Sequence, residues 1–416
     1  MEPVTHFLTG ACLARAGFNR KAAYATLAMT LAAEAPDLDV VWGAGGPVVA
    51  FQHHRGITHT FLGLPFEAAL VVGVVWGIHR WRLRRREQEE REAEKSARPG
   101  ATAQSFATDE PLVRPLTAAP VRWGMLYGFA LIALVSHILL DWTNNYGVRP
   151  FYPFDTHWYM GSFVFIFEPV MFAALIVGLC APALFGLIAG EVGARKAVFR
   201  GRGWAISALM MIALLWGWCW LEHDAAVEAA ANASYGPGVV RAVQSDEAGD
   251  AGAPPPRNAA RAIPAEILRV TADPYPANPF LWQTVVETPT YYQVATVDLL
   301  KGTVETDPSR DLFYKPRWTP AVRAARKSFV GRVYLDWSSW PVVADTGPTA
   351  AIDEDPRLPQ WHAVVFRDLR FQYDSGWLTD LMHRGTGDSR PPLSATAYVD
   401  ATGEVVRMQM GSSVQR

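Results

Sequence analysis

The chain has 416 residues, enough for roughly two or three domains, and sets Lys+Arg 38 against Asp+Glu 40 for a formal net charge of −2. That balance lacks the basic footprint of a nucleic-acid-binding protein, so nucleic acid is excluded as a partner. The three cysteines, Cys12, Cys180 and Cys219, sit in apolar stretches with no CxxC spacing, which excludes a disulfide framework and a cysteine zinc site.

In chain order, the predicted elements begin with two short helices, 5–16 and 22–35, joined at Gly17-Phe18-Asn19-Arg20. Each reaches about 20 Å at 1.5 Å per residue. A bilayer crossing takes roughly 20 apolar residues, so these two form a half-buried hairpin and not a pair of spans. Nothing at the N-terminus reads as a signal peptide. Four longer apolar stretches follow, at 61–81, 123–142, 163–189 and 203–221, the third interrupted by Pro169 and Pro182. The first ends in Arg80, Arg82, Arg84, Arg85 and Arg86 and opens a charged loop, 80–121, that starts as a helical extension. Arg195, Lys196, Arg200 and Arg202 join the third to the fourth. The positive-inside rule puts both basic loops in the cytoplasm, four spans then alternate without conflict, and whatever follows residue 222 is extracytoplasmic.

After Leu221 the composition changes. A charged helix, 222–234, leads into a flexible linker, 236–264, containing Pro254-Pro255-Pro256. From about Asn278 the pattern predicts strands at 281–287, 291–299, 329–335 and 363–370 and a hairpin 394–399/405–410. The expected fold is a multi-span α-helical membrane domain, 1–222, a helix and linker, 223–264, and a small β-rich (α+β) soluble C-terminal domain, 265–416.

Five of the ten histidines occur by residue 79. Polar groups cluster in Asp37-Leu38-Asp39, in His53-His54-Arg55-Gly56-Ile57-Thr58-His59, and in His137 and Asp141 near the end of the second span. A spacing of four puts His137 and Asp141 on one helix face. Ionisable groups at the end of a membrane helix are costly unless paired, hydrated or bound to metal. Asp37 and Asp39 point the same way if that stretch is extended. Their alternative reading is a pair of turn or cap residues. The span directions bring all three groups to one membrane face, where His6 joins them. Imidazole nitrogens with carboxylate oxygens suit Zn²⁺, Mn²⁺ or Fe²⁺ better than Ca²⁺, and such an ion activates water.

These residues resemble the YdjM-like family of inner-membrane metal-dependent hydrolases. The resemblance rests on Thr5-His6…Gly10, on Pro36-Asp37-Leu38-Asp39, on His54-Arg55-Gly56-Ile57-Thr58-His59, and on Ser136-His137…Asp141…Gly147…Tyr152-Pro153. It covers about the first 170 residues, and the site is also, more loosely, similar to that of zinc-dependent phospholipase C and related nucleases. It implies an integral inner-membrane protein whose metal ligands are His6, Asp37, His54, His59, His137 and Asp141. Zn²⁺ is the first choice, with Mn²⁺ or Fe²⁺ next. Asp39 is then a catalytic carboxylate, a further ligand or a group that orients a His, and Arg55 holds the substrate anion. A later "IxDP" motif of longer members stands here as Ile166-Phe167-Glu168-Pro169, which makes Glu168 an additional candidate ligand. A site at the membrane face favours a lipid or amphiphilic (phospho)ester, with the bilayer as the other partner. The competing expectations are a non-catalytic scaffold or sensor with a structural metal, or a transporter; no protein partner is indicated.

Overall fold

The computed structural model describes residues 1–96, 119–191, 201–233, 235, 266–307, 311–316, 318–348, 361–373 and 393–415. The expected linker and most of the loop up to 121 lie outside the described residues. The chain divides into two compact units: residues 1–42 with 53–217, and residues 43–52 with 218–416.

The first unit is helical. Helix α1 (Pro3–Arg15) and α2 (Ala25–Glu34) form the short hairpin, and a 3₁₀ stretch (Ala35–Gly45) follows. After α3 (Pro47–His53), which falls mostly in the second unit, and a 3₁₀ turn (Ile57–His59) come α4 (Leu64–Ser96), α5 (Trp123–Thr143), α6 (Pro169–Glu191) and α7 (Arg202–Asn232), whose residues from Trp218 onward belong to the second unit. Small side chains let the helices approach closely. Ala25, Ala28, Ala32 and Ala33 of α2 share a buried core with Leu64, Ala68 and Val71 of α4 and with Leu126, Ala130 and Leu134 of α5. Gly10 of α1 has no room for a side chain, because a Cβ there would stand 2.7 Å from the Met29 carbonyl oxygen and 2.8 Å from the Ala33 Cβ.

Among the described residues, α5 and α7 are long and apolar enough to cross a membrane. A third crossing is reached if Pro47–His59 and Leu64–Glu92, bent by 86° at the break, are one broken span. The apolar part of α6 is shorter, at Pro169–Phe185. Two or three candidate spans therefore stand where the sequence suggested four. The charged segment expected as a separate helix at 222–234 is instead the continuation of α7.

The second unit carries two antiparallel five-stranded sheets. One runs β1 (Arg269–Tyr275), β2 (Asn278–Glu287), β3 (Tyr291–Asp298) and β4 (Thr303–Glu305), with β5 (Leu312–Tyr314) also on β3. The other runs β10 (Ser413–Gln415), β9 (Val405–Met410), β8 (Ala395–Val399), β7 (His362–Asp368) and β6 (Pro341–Pro348). Two helices, α8 (Pro320–Lys327) and α9 (Phe329–Trp337), complete it. The last corrects the strand expected at 329–335. Ser328 caps the helix by accepting from the Gly331 N–H, and Val330, Val333, Tyr334 and Trp337 recur at helical spacing on the buried side. Arg370 is wholly buried in this unit, with Nε and Nη2 donating to the two oxygens of Asp368 at 2.9 and 2.8 Å.

Candidate metal centre

The 3₁₀ stretch, the turn before α4 and the C-terminal part of α5 bring Asp37, His59, His137 and Asp141 together, and α1 adds His6. His137 and Asp141 lie one turn apart on α5, both with no exposed surface. The Nδ1 of His137 lies 2.7 Å from the Ala33 carbonyl oxygen. A carbonyl only accepts, so Nδ1 carries the proton and Nε2 turns its lone pair to the centre.

Around that nitrogen the separations are short and even. His59 Nε2 is 3.1 Å from His137 Nε2, 3.4 Å from Asp141 Oδ2 and 3.5 Å from Asp37 Oδ1. His137 Nε2 is 3.5 Å from Asp141 Oδ2 and 3.7 Å from Asp37 Oδ1. Direct N–H···O bonds run about 2.7–3.2 Å, so these nitrogen–oxygen distances lie beyond the usual range, while the two facing imidazole nitrogens at 3.1 Å are within hydrogen-bond reach. Donors at about 2.0–2.2 Å from one ion stand roughly 3.3–3.6 Å apart in a tetrahedral arrangement, and the separations here scatter around that range at 3.1–3.7 Å. Both ring nitrogens of His6 are buried without a hydrogen bond, and its Nε2 faces Asp141 Oδ1 at 3.4 Å. Its ring stacks on that of His137 with centroids 3.7 Å apart. Two triads, His6/His137/Asp141 and Asp37/His59/His137, can each hold an ion. The donor set fits a divalent cation.

Asp37 lies outside the long helices, and burial pushes its carboxyl up. The adjoining His59 and His137 imidazoles outweigh that and hold it below the usual carboxylate range, so it is available as an anion.

The remaining expected site residues stand around this cluster. Asp39 and Asp37 face opposite nitrogens of His59, because the stretch coils as a 3₁₀ helix with three residues per turn instead of running extended. Asp39 Oδ2 accepts from the Arg55 backbone N–H at 2.8 Å and stands 3.7 Å from His59 Nδ1. His54 turns its half-exposed ring to Asp39, 3.3 Å away, and is not one of the converging donors. Arg55 is buried at a φ of +52° and donates to Asp141 Oδ1 at 2.7 Å, to the Gly147 carbonyl at 2.7 Å and to Asn144 Oδ1 at 3.3 Å. The Met1 amino group also contacts Asp141. Glu168 lies next to the first residue of α6, where its Oε1 accepts from the Val170 N–H at 3.2 Å, and it belongs to neither triad. His53 stacks on Trp42.

Sequence reasoning passed over Asn144, Tyr146 and the Ala33 carbonyl. Asn144 Oδ1 accepts from the backbone N–H groups of Tyr146 and Gly147 as well as from Arg55. An Asn directly after a helix is a turn signal that could have drawn attention to it. Tyr146 lies under the Arg55 guanidinium, 4.7 Å from ring centre to Cζ. The Ala33 carbonyl has no signature in sequence.

Comparison with curated proteins and with solved structures returns no match. The model of the YdjM inner membrane protein family, however, matches residues 1–226, more than half of the 416 and all five converging donors, and the chain belongs to that family.

Proposed function

We propose that this protein is a membrane-embedded metal-dependent hydrolase acting on a lipid or amphiphilic (phospho)ester. The observation that carries the reading is the convergence of five buried or half-buried donors into two triads, His6/His137/Asp141 and Asp37/His59/His137, that share His137. A Zn²⁺ ion held there, or Mn²⁺ or Fe²⁺, supplies Lewis acidity and lowers the pKa of water. The Thr58 hydroxyl, 3.0 Å from His59 Nδ1, helps orient that ring, Asp39 holds the Arg55 backbone, and Arg55 fixes Asp141 while placing a permanent positive charge beside the site for a substrate anion. His54 is the residue of the HRGITH motif best placed to exchange protons with solvent, since its ring is partly exposed. An amphiphilic substrate is supported by the exposed Leu38, Val40, Val41 and Trp42, which lie in the same stretch as the donor Asp37.

The experiment is elemental analysis of the detergent-purified protein beside a His59→Ala/Asp141→Ala variant, followed by hydrolysis assays on phospholipids and phosphodiesters. About one or two equivalents of metal in the wild type, none in the variant, and metal-dependent product release support the reading. Bound metal without hydrolysis of any ester class would leave a structural centre.

A further inference from the structure

The ligand-bearing chain leaves the helical unit after Trp42 and returns to it at His53, and residues 43–52 belong to the C-terminal unit. Asp37 and Asp39 precede the departure, and His54, Arg55 and His59 follow the return. The two ends are pinned together by the Trp42–His53 stack, with centroids 4.2 Å apart and rings 20° from parallel.

Within the C-terminal unit the excursion is gripped in two places. The Gln415 side chain in the last strand accepts from the Val48 N–H at 3.0 Å and donates to the Gly45 carbonyl at 3.1 Å, pairing with the backbone on both sides of Gly46. Gly46 has a φ of +103°, and a Cβ there would come within 2.4 Å of the Gln415 side-chain oxygen. Glycine is what this approach requires. Phe51 lies edge-on to Trp337 at 5.1 Å and parallel to Tyr334 at 6.0 Å, both buried on α9.

An ungripped connection would leave its flanking residues more conformations, and an ion would have to order them on binding. We propose that residues 43–52 are a positioning strap. By holding Phe51 and the backbone at Gly45–Val48, the C-terminal domain sets the placement of Asp37 and Asp39 on one side and of His59 on the other. The affinity and geometry of the metal centre thus depend on Phe51 and Gln415, which bind no ion themselves. This rests on the metal reading above.

The test is a Co²⁺ titration of the full chain in detergent, recording affinity by chelator competition and the visible ligand-field spectrum. The proteins are the wild type, Phe51→Ala, Gly46→Ala, Gln415→Ala, Phe51→Tyr and a control at an exposed strand position, Val406→Thr. The expected result is a roughly 10–100-fold loss of affinity with altered bands for the first three variants, the range typical of residues that orient ligands. Phe51→Tyr keeps the ring and matches the wild type, as does Val406→Thr. Gln415→Ala removes only a side chain near the chain's end, so it remains informative if Phe51→Ala fails to fold. Wild-type affinity and spectrum in folded Gln415→Ala and Gly46→Ala would overturn the strap. Failure of the wild type to bind Co²⁺ would overturn the metal centre and the strap together.

Discussion

At the residue scale, Asp141 carries the densest electrostatic environment of the site. His6, His59 and His137 approach its two oxygens, and Arg55 donates to one of them. Asp141→Asn removes the anion while leaving Arg55 buried, so it should abolish metal binding and also destabilise the helical unit by about 3–5 kcal/mol. Metal analysis and chemical denaturation read the two effects separately. Asp39→Asn should behave differently, because Asp39 holds the Arg55 backbone and not the ion: metal binds some 10–100-fold more weakly but is not lost, as a competition titration would register. The residues that converge were legible because their types and order are unusual on an apolar chain. The inward engagement of Arg55 was not legible, since it depends on a left-handed backbone at Arg55 and on an Asn three residues beyond Asp141 in the chain.

At the element scale, α1 owes its place to Gly10. Gly10→Val would drive a branched side chain into the Met29 carbonyl and Ala33, pushing α1 off α2. Overpacking of this kind costs about 1–3 kcal/mol, and the displaced helix carries His6. Weaker metal binding together with a lowered unfolding midpoint is the expected outcome of a titration and a denaturation curve. The short hairpin and α5 were readable from apolar length alone. Residues 329–335 were misread as a strand because Phe, Val and Tyr favour strands, whereas the Ser328 cap and the burial of Val330, Val333, Tyr334 and Trp337 made a helix of them. Strands β1 and β6 passed unnoticed, since prolines at both ends of β6 and within β1 broke the apolar pattern.

At the scale of the whole molecule, the two units should respond to different agents. If the proposed ion binds the folded helical unit, stripping it costs about 2.7 kcal/mol when the ion stands at 100 times its Kd, so chelator should lower the thermal midpoint of that unit first and most. Acid, unlike chelator, should also act directly on the C-terminal unit. Burial raises the Asp368 carboxyl, but Arg370 beside it prevails and holds it below its ordinary value. A group depressed in the fold stabilises fully above its unfolded pKa, near 3.9, and that contribution drains away as pH falls through the folded value. Denaturation monitored between about pH 5 and pH 2 should show this fall in the wild type. In Asp368→Asn the fall should be reduced, and the variant should start about 3–5 kcal/mol less stable because Arg370 is left buried and alone. The division into a helical and a β-rich part was plain in the change of composition near Leu221. The membership of 43–52 in the later part was not, because it depends on pairing across more than 360 residues.

Asp37 is the one donor of the central four with appreciable side-chain exposure, 17% against 0–1% for His59, His137 and Asp141. An ion held by the Asp37/His59/His137 triad would then arrive or depart on the Asp37 side, past a carboxylate that lets go first. Exchange would then be governed by how often the Asp37 segment swings aside, not by affinity. A chelator should empty the centre over hours and not seconds, and a competing metal in excess should replace the resident one equally slowly. The metal found after purification would then be a record of which ion was at hand while the helices assembled.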